Sequence, residues 1–250
     1  MDFCWLFLIE NNLFILNLLA YITLSSELLP LIFCILFYKK LNTKALKVFF
    51  IYSVILAVSI TLSTTAFFLQ SQKIYYYIVR IYTPVEYLLF ALFLSKLYKN
   101  TIAQKIILFS TIPFILFCIL DFFINKSPFS NYPSLVEFLA YFMFIIYFFY
   151  EKMKTVVHYP LYQSITFWIC VGLFVYFTGN FFFFLFINSS SDPDVIAQIK
   201  NIYSIVTITK NVLLCSALFA NETIENNDES LKIPMEMELD DFTLTNLKKS

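Results

Sequence analysis

Long stretches of apolar residues alternate with short polar breaks along most of the chain. An α-helix needs about 20 consecutive apolar residues to cross a hydrocarbon core of about 30 Å. Such stretches predict about seven transmembrane helices, at 13–37, 46–70, 75–97, 104–124, 132–150, 161–187 and 197–220. The stretches are continuous rather than alternating over about ten residues, so they indicate helices and not barrel strands. The expected fold class is all-α, a polytopic membrane bundle of about seven helices.

The lysines of the connections between these stretches predict an orientation. The first, third and fifth connections hold nine lysines, whereas the N-terminal segment and the other connections hold three, Lys73, Lys126 and Lys200. Cytoplasmic connections are enriched in lysine and arginine. The pattern therefore predicts an N-terminus outside and a C-terminus in the cytoplasm, which agrees with an odd number of spans, since that number places the two termini on opposite sides.

The two ends of the chain differ from the apolar middle, residues 13–220, which is the expected transmembrane domain. Residues 1–12 carry Asp2 and Glu10 and lack the basic start of a signal peptide, so we expect a lead-in at the outer membrane surface. Residues 221–250 hold 3 lysines against 8 acidic residues, which predicts a disordered, acidic cytoplasmic tail. Residues 237–242 either contact a cytoplasmic signalling partner or belong to a merely solvated terminus.

Composition supports a membrane location and offers little for catalysis. Apolar residues make up 60% of the chain and charged residues 14%, against roughly a quarter charged in soluble domains. Two glycines leave no phosphate-binding loop or dinucleotide fingerprint. The single histidine, His158, has no partner at metal-ligand spacing, and the five cysteines are widely separated. We expect no catalytic residue, metal, cofactor or nucleic-acid partner, and not an enzyme.

Five charged residues within the predicted spans stand out, and all five lie on odd-numbered spans: Glu27, Arg80, Glu86, Glu137 and Lys210. A charge within a bilayer is costly, so each is a candidate functional residue. Counted at about 1.5 Å per residue from the outer ends, Glu27, Glu86 and Lys210 lie near mid-membrane. Arg80 and Glu137 lie at a similar, shallower depth.

The depths predict two groups of charges. Arg80 and Glu86 are six residues apart on one helix and do not face each other, so Arg80 needs a partner from another helix. Glu137 matches it best in depth, while Glu27, Glu86 and Lys210 form a deeper group. Either these residues line a polar cavity for a ligand, an ion or protons, or they are internal ion pairs that fix helix packing.

The sixth predicted span carries the two glycines of the chain. Gly172 and Gly179 are seven residues apart and share a helix face, which predicts close packing of a neighbouring helix. Asn180 either packs there too or lines the cavity. Prolines inside other spans predict kinks that free backbone carbonyl groups, at Pro30, Pro84 and Pro113.

Three apolar segments, 82–92, 167–184 and 202–218, resemble uncharacterised seven-helix inner-membrane proteins of bacteria, some of which look like the membrane sensor halves of signalling proteins. The resemblance implies the cell inner membrane. We therefore predict a sensor or receptor-like protein in the lipid bilayer, with a cavity lined by Glu27, Arg80, Glu86, Glu137, Asn180 and Lys210.

Two other functions stay open. A small transporter or channel would use the same charges to pass ions, protons or a small solute, and a structural subunit would use the glycine face to join a larger complex. A homo-oligomer is compatible with each of these.

Overall fold

A computed structural model describes residues 14–69, 71–124, 132–154, 161–187 and 192–220. The predicted lead-in, His158 and the acidic tail lie outside these residues. The described part contains helices and no strands, which confirms the all-α prediction. Its α-helices are α1 (Phe14–Ser26), α2 (Leu29–Leu36), α3 (Lys44–Phe68), α4 (Gln72–Leu97), α5 (Thr101–Ile124), α6 (Tyr132–Lys154), α7 (Ile165–Ile187) and α8 (Pro193–Ala217).

The first predicted span is not one helix but two. α1 ends at Ser26 and α2 begins at Leu29, with Pro30 in the first turn of α2. Proline has no N–H group to donate to the carbonyl of Ser26, and its ring collides with that carbonyl, so the helix breaks one turn earlier. By contrast, α4 continues through Pro84 and α5 through Pro113.

Successive long helices pack in antiparallel pairs. The ring of Phe49 on α3 lies 6.2 Å from that of Phe93 on α4, so the start of α3 lies beside the end of α4. The ring of Tyr87 stacks at 3.9 Å on Phe114 of α5. In the same manner α6 packs on α7, and α7 on α8.

The last helix returns to the first, so the helices close into a ring. The Lys40 ammonium, just after α2, donates to the carbonyl of Leu218 at 3.0 Å. α4 also contacts α6, where the hydroxyl of Tyr141 donates to the carbonyl of Tyr87. α4 therefore touches α3, α5 and α6 and forms much of the interior.

The lysine-rich connections lie at one end of the bundle. Lys40 contacts the end of α8, and the backbone N–H of Asn100 donates to Glu151 at the end of α6 at 2.9 Å. The antiparallel pairing of α3 with α4 joins these two contacts into one end. The three connections that are rich in lysine in the sequence therefore also lie together in space.

Within the described ranges, six helical segments are long and apolar enough to cross a membrane: Leu18–Leu36, Lys44–Ala66, Lys73–Leu97, Thr101–Ile124, Tyr132–Lys154 and Ile165–Phe186. The first of them includes the break between α1 and α2. The seventh predicted span forms α8, which has a comparable 25 residues but is less apolar than these six segments.

Candidate functional site: a buried charge cluster beside an open cleft

α8 turns a polar face toward the inside of the bundle. Residues spaced three or four apart, each at most 2% exposed, form this face: Lys200, Ser204, Thr207, Lys210 and Asn211. The opposite face is exposed and apolar at Ile202, Ile205 and Val212. A helix on a water-soluble protein has the reverse arrangement. The polarity that lowers the hydropathy of α8 is therefore hidden in the interior.

Lys210 lies at the centre of a cluster of charges from three parts of the chain. Its ammonium lies 4.3 Å from the centroid of the Tyr176 ring on α7, within the range of a cation–π interaction. It also interacts electrostatically with Glu27 and Glu86. The structure thus brings together Glu27, Glu86 and Lys210, the three residues that were grouped by their predicted depth in the membrane.

The break between α1 and α2 places Glu27 in this cluster. Glu27 lies in the turn between the two helices and is 9% exposed. The neighbouring Ser26 hydroxyl accepts a hydrogen bond of 2.9 Å from the side-chain amide of Asn211. This contact fixes the end of α1 against α8, one residue from Lys210.

A small cavity of about 20 Å³ lies between Glu86 on α4 and Glu137 on α6. The two carboxyl groups are 5% and 1% exposed, and Asn180 from α7 is fully buried at the same cavity. Within the described part of the chain, one oxygen of each carboxyl and both amide atoms of Asn180 have no hydrogen-bond partner. A cavity of this size holds about one water molecule and excludes an organic ligand.

Arg80 belongs to a different and larger space. A cleft of about 410 Å³ lies between α4, α5 and the start of α6, with Arg80 and Asp121 among its lining residues. The Arg80 guanidinium carbon lies 5.2 Å from the centroid of the Phe122 ring on α5. Arg80 and Glu137 therefore line different cavities, although their similar depth predicted a pair. Depth fixes the height of a side chain along a helix but not the direction in which it points.

One wall separates the cleft from the small cavity. Val79, Thr83 and Ser134 line both spaces. Thr83 lies one turn from Glu86, and Ser134 lies one turn from Glu137. These side chains therefore contact the cleft on one side and the small cavity on the other, next to the two glutamates.

Both glycines of α7 lie against α8. A Cβ atom at Gly179 would lie 2.6 Å from the methyl groups of Val206, closer than real Cβ atoms come to neighbours. At Gly172 a Cβ atom would lie 3.3 Å from Leu213 and Leu214, a tight contact. The absence of a side chain allows α8 to bring Lys210 close to Tyr176.

Sequence reasoning missed two buried charges. Asp121 is 8% exposed on α5, which is the fourth span, so embedded charges are not confined to odd-numbered spans. Lys200 is 2% exposed on α8, although its count among the connections placed it outside the membrane. A signal existed for both, because each lies inside a predicted apolar stretch. Nothing in the sequence distinguished the three tyrosines at the cavity from the rest of the 17 tyrosines in the chain; they are Tyr82, Tyr176 and Tyr203.

The described part of the chain combines six apolar helical segments, an apolar exposed surface and several charges buried in the interior, which is typical of α-helical multi-pass membrane proteins. Among the described residues, no group of three or more His, Cys, Asp or Glu side chains could hold a metal ion. Comparison with protein-family models, with curated proteins and with solved structures gave no match. The resemblance to seven-helix bacterial membrane proteins stays a prediction.

Proposed function

We propose that this protein is a receptor-like sensor of the cell inner membrane with seven spans, an external N-terminus and a cytoplasmic C-terminus. α8 is the seventh span, since it packs on α7 and returns to α2 with its polar face inward and its apolar face outward. Its last residues meet Lys40 at the lysine-rich end. That end faces the cytoplasm by the lysine rule.

The observation that carries the sensor proposal is the shared wall between the cleft and the charge cluster. A cleft of about 410 Å³ falls in the range of small-molecule sites, about 300–1,000 Å³. It lies at the end opposite the lysine-rich connections, next to the start of α4. A ligand in it would touch Thr83 and Ser134, and so shift α4 or α6 against Glu86 and Glu137. A ligand biases a conformation only through such differential contacts.

The signal would leave the bundle at the cytoplasmic end. α8 carries Lys210 in its middle and leads directly into the acidic segment 221–250. A movement of α8 would therefore alter how this segment is presented to a cytoplasmic signalling partner. The proposal assigns no catalytic residue, metal or cofactor to the chain.

Native mass spectrometry of the purified full-length protein tests the cleft. Ile119 lines the cleft and Leu116, almost one turn away on α5, does not, while both are about half exposed. We expect a molecule of defined mass to remain bound to the wild type and to Leu116→Trp, and to be absent from Ile119→Trp. Equal retention by the two variants, or an empty wild type, would refute a cleft ligand.

A transporter is the second candidate, because the charged interior extends beyond the small cavity. It runs from Glu137 through Glu86 to Lys210 and Glu27. Proteoliposomes with a pH-sensitive dye inside separate the two functions. A transporter that uses these charges would pass protons with the wild type and lose that flux in Glu86→Gln. The sensor proposal expects no flux above that of empty liposomes from either protein.

A further inference from the structure

The charges around the small cavity do not balance if every carboxyl group is ionised. Glu86 interacts electrostatically with Lys210, Glu27 and Glu137, and the N-terminal ammonium acts on both Glu86 and Glu137, so three carboxyl groups face two ammonium groups. An uncompensated carboxylate in a dry interior is strongly unfavourable, because it loses its hydration. One carboxyl group is therefore left without a compensating ammonium. A single proton on the pair of Glu86 and Glu137 restores the balance.

The unpaired atoms at the cavity have the pattern that one water molecule satisfies. Oε1 of Glu86 and Oε1 of Glu137 are acceptors without a partner, and the amide nitrogen of Asn180 is a donor without one. A water molecule donates up to two hydrogen bonds and accepts up to two, so it can donate to an ionised carboxyl while it accepts from a protonated one and from the amide nitrogen of Asn180. The cavity of about 20 Å³ exceeds the space that one water needs. A single water can therefore link both carboxyl groups and Asn180.

We propose that Glu86, Glu137 and Asn180 form a proton-binding site, in which the two carboxyl groups share one proton through a bound water. The proton leaves the Glu137 carboxyl as that O–H bond breaks, and it forms a new O–H bond on the water. The water releases another of its protons to Oε1 of Glu86, so that one carboxyl stays protonated and the other ionised. No oxidant or further reactant is needed.

The neighbouring titratable groups allow this proton to be distinguished from others. The groups that face the pair from the packed elements are Glu27, Tyr52 on α3, Tyr82 and Tyr87 on α4, Cys118 on α5, Tyr141 on α6, Tyr176 on α7, and Tyr203 and Lys210 on α8, and the N-terminal ammonium acts on both carboxyl groups. Tyrosine and cysteine ordinarily ionise above neutral pH, lysine higher still, and an α-amino group near pH 8. A proton released from this site in the acid range therefore comes from a carboxyl group.

The wall of the cavity supplies a route for the proton. Thr83 and Ser134 carry hydroxyl groups and line both the cavity and the open cleft. Exchange would then occur from the side of the cleft, opposite the lysine-rich end. The site does not depend on which ligand the cleft binds, and it holds even if the cleft binds none.

Infrared difference spectroscopy of the purified full-length protein tests the proposal through the carbonyl band of protonated carboxyl groups. We expect the wild type to show such a band that shifts in D2O and weakens as the pH rises. Glu137→Gln should lose the band, and Glu86→Gln should displace or lose it. Glu151→Gln is the control, because Glu151 binds backbone N–H groups at the lysine-rich end and lies far from the cavity.

Three results would overturn the shared proton. The first is the absence of a pH-sensitive carboxyl band from the wild type. This measurement does not depend on whether any variant folds. Another is a band that persists unchanged in both glutamine variants when these elute like the wild type. The third is removal of the band by Na⁺ at constant pH, with no such effect of a larger cation at the same ionic strength. That result would show that the cavity is a cation site, with the same oxygen atoms as ligands.

Discussion

Lys210 illustrates what a buried charge requires of its surroundings. The residue is 1% exposed, and its ammonium lies over the face of Tyr176 and interacts with carboxyl groups from two other parts of the chain. Removal of one partner from a buried ion pair costs more than the pair contributes, because the other charge stays buried and unpaired. We therefore expect loss of one charge from the cluster to lower the stability of the protein more than simultaneous loss of two opposite charges.

Substitution of Lys210 tests this coupling. We expect Lys210→Met to reduce the free energy of unfolding by about 3–5 kcal/mol, because Glu27 and Glu86 lose their ammonium partner. Unfolding in mixed detergent, followed by circular dichroism, gives the value. The double variant Lys210→Met/Glu86→Gln should recover part of the loss. If the single variant is as stable as the wild type, Lys210 does not compensate these carboxyl groups.

The residues of the site could be predicted from the sequence, but their neighbours could not. Charges within apolar stretches identified Glu27, Glu86 and Lys210, since a charge in a bilayer is rare and costly. The direction in which each points depends on helix rotation, which hydropathy does not contain. For this reason Arg80 was expected beside Glu137 and lies instead beside Phe122 on α5.

At the scale of helices, the contact between α7 and α8 determines how the cluster is built. Gly179 lets Val206 approach so closely that no Cβ atom fits between them. Lys210 follows Val206 by one helical turn, so this approach also sets its distance from Tyr176. The glycine spacing on the sixth predicted span indicated close packing, whereas the partner helix became visible only in the structure.

Addition of one methyl group at this contact should loosen the bundle. We expect Gly179→Ala to lower stability by about 1–3 kcal/mol, the usual effect of an overpacked core. Val206→Ala in the same chain removes the methyl groups that the new Cβ would meet, and should restore most of the loss. Gly172→Ala is the milder control, with its nearest atoms at 3.3 Å. Equal unfolding temperatures of Gly179→Ala and Gly172→Ala in detergent would contradict the close approach of Val206 to Gly179.

The existence and order of the helices follow directly from the sequence, while their interruptions are less visible. Apolar stretches fixed the positions of α3 to α8 to within a few residues of their observed ends. The first stretch gave no sign that Glu27 lies in a turn, apart from Pro30 three residues later. A proline in the sequence does not by itself predict a break, because Pro84 and Pro113 lie within unbroken helices.

The described bundle has an apolar exposed surface and an apolar core that encloses a group of buried polar and charged side chains. Closure of the ring, the cleft and the small cavity arise from contacts between segments far apart in the chain. Lys40 and Leu218, for example, meet across nearly the whole bundle sequence. Hydropathy along the chain has no information on such contacts, which is why the cavities could not be located before the structure.

Passage of α8 across the membrane is the feature on which the seven-span arrangement depends most directly. Single cysteines placed at Asp192 and at Ala220, in a cysteine-free background, report the side on which each end of α8 lies. Labelling with a membrane-impermeant maleimide in sealed right-side-out vesicles, with Lys73→Cys and Lys99→Cys as references for the two sides, gives the readout. We predict that Asp192→Cys reacts in intact vesicles, like Lys73→Cys, and that Ala220→Cys reacts only after the vesicles are opened, like Lys99→Cys. Reaction of both ends of α8 from the same side would contradict the seventh span.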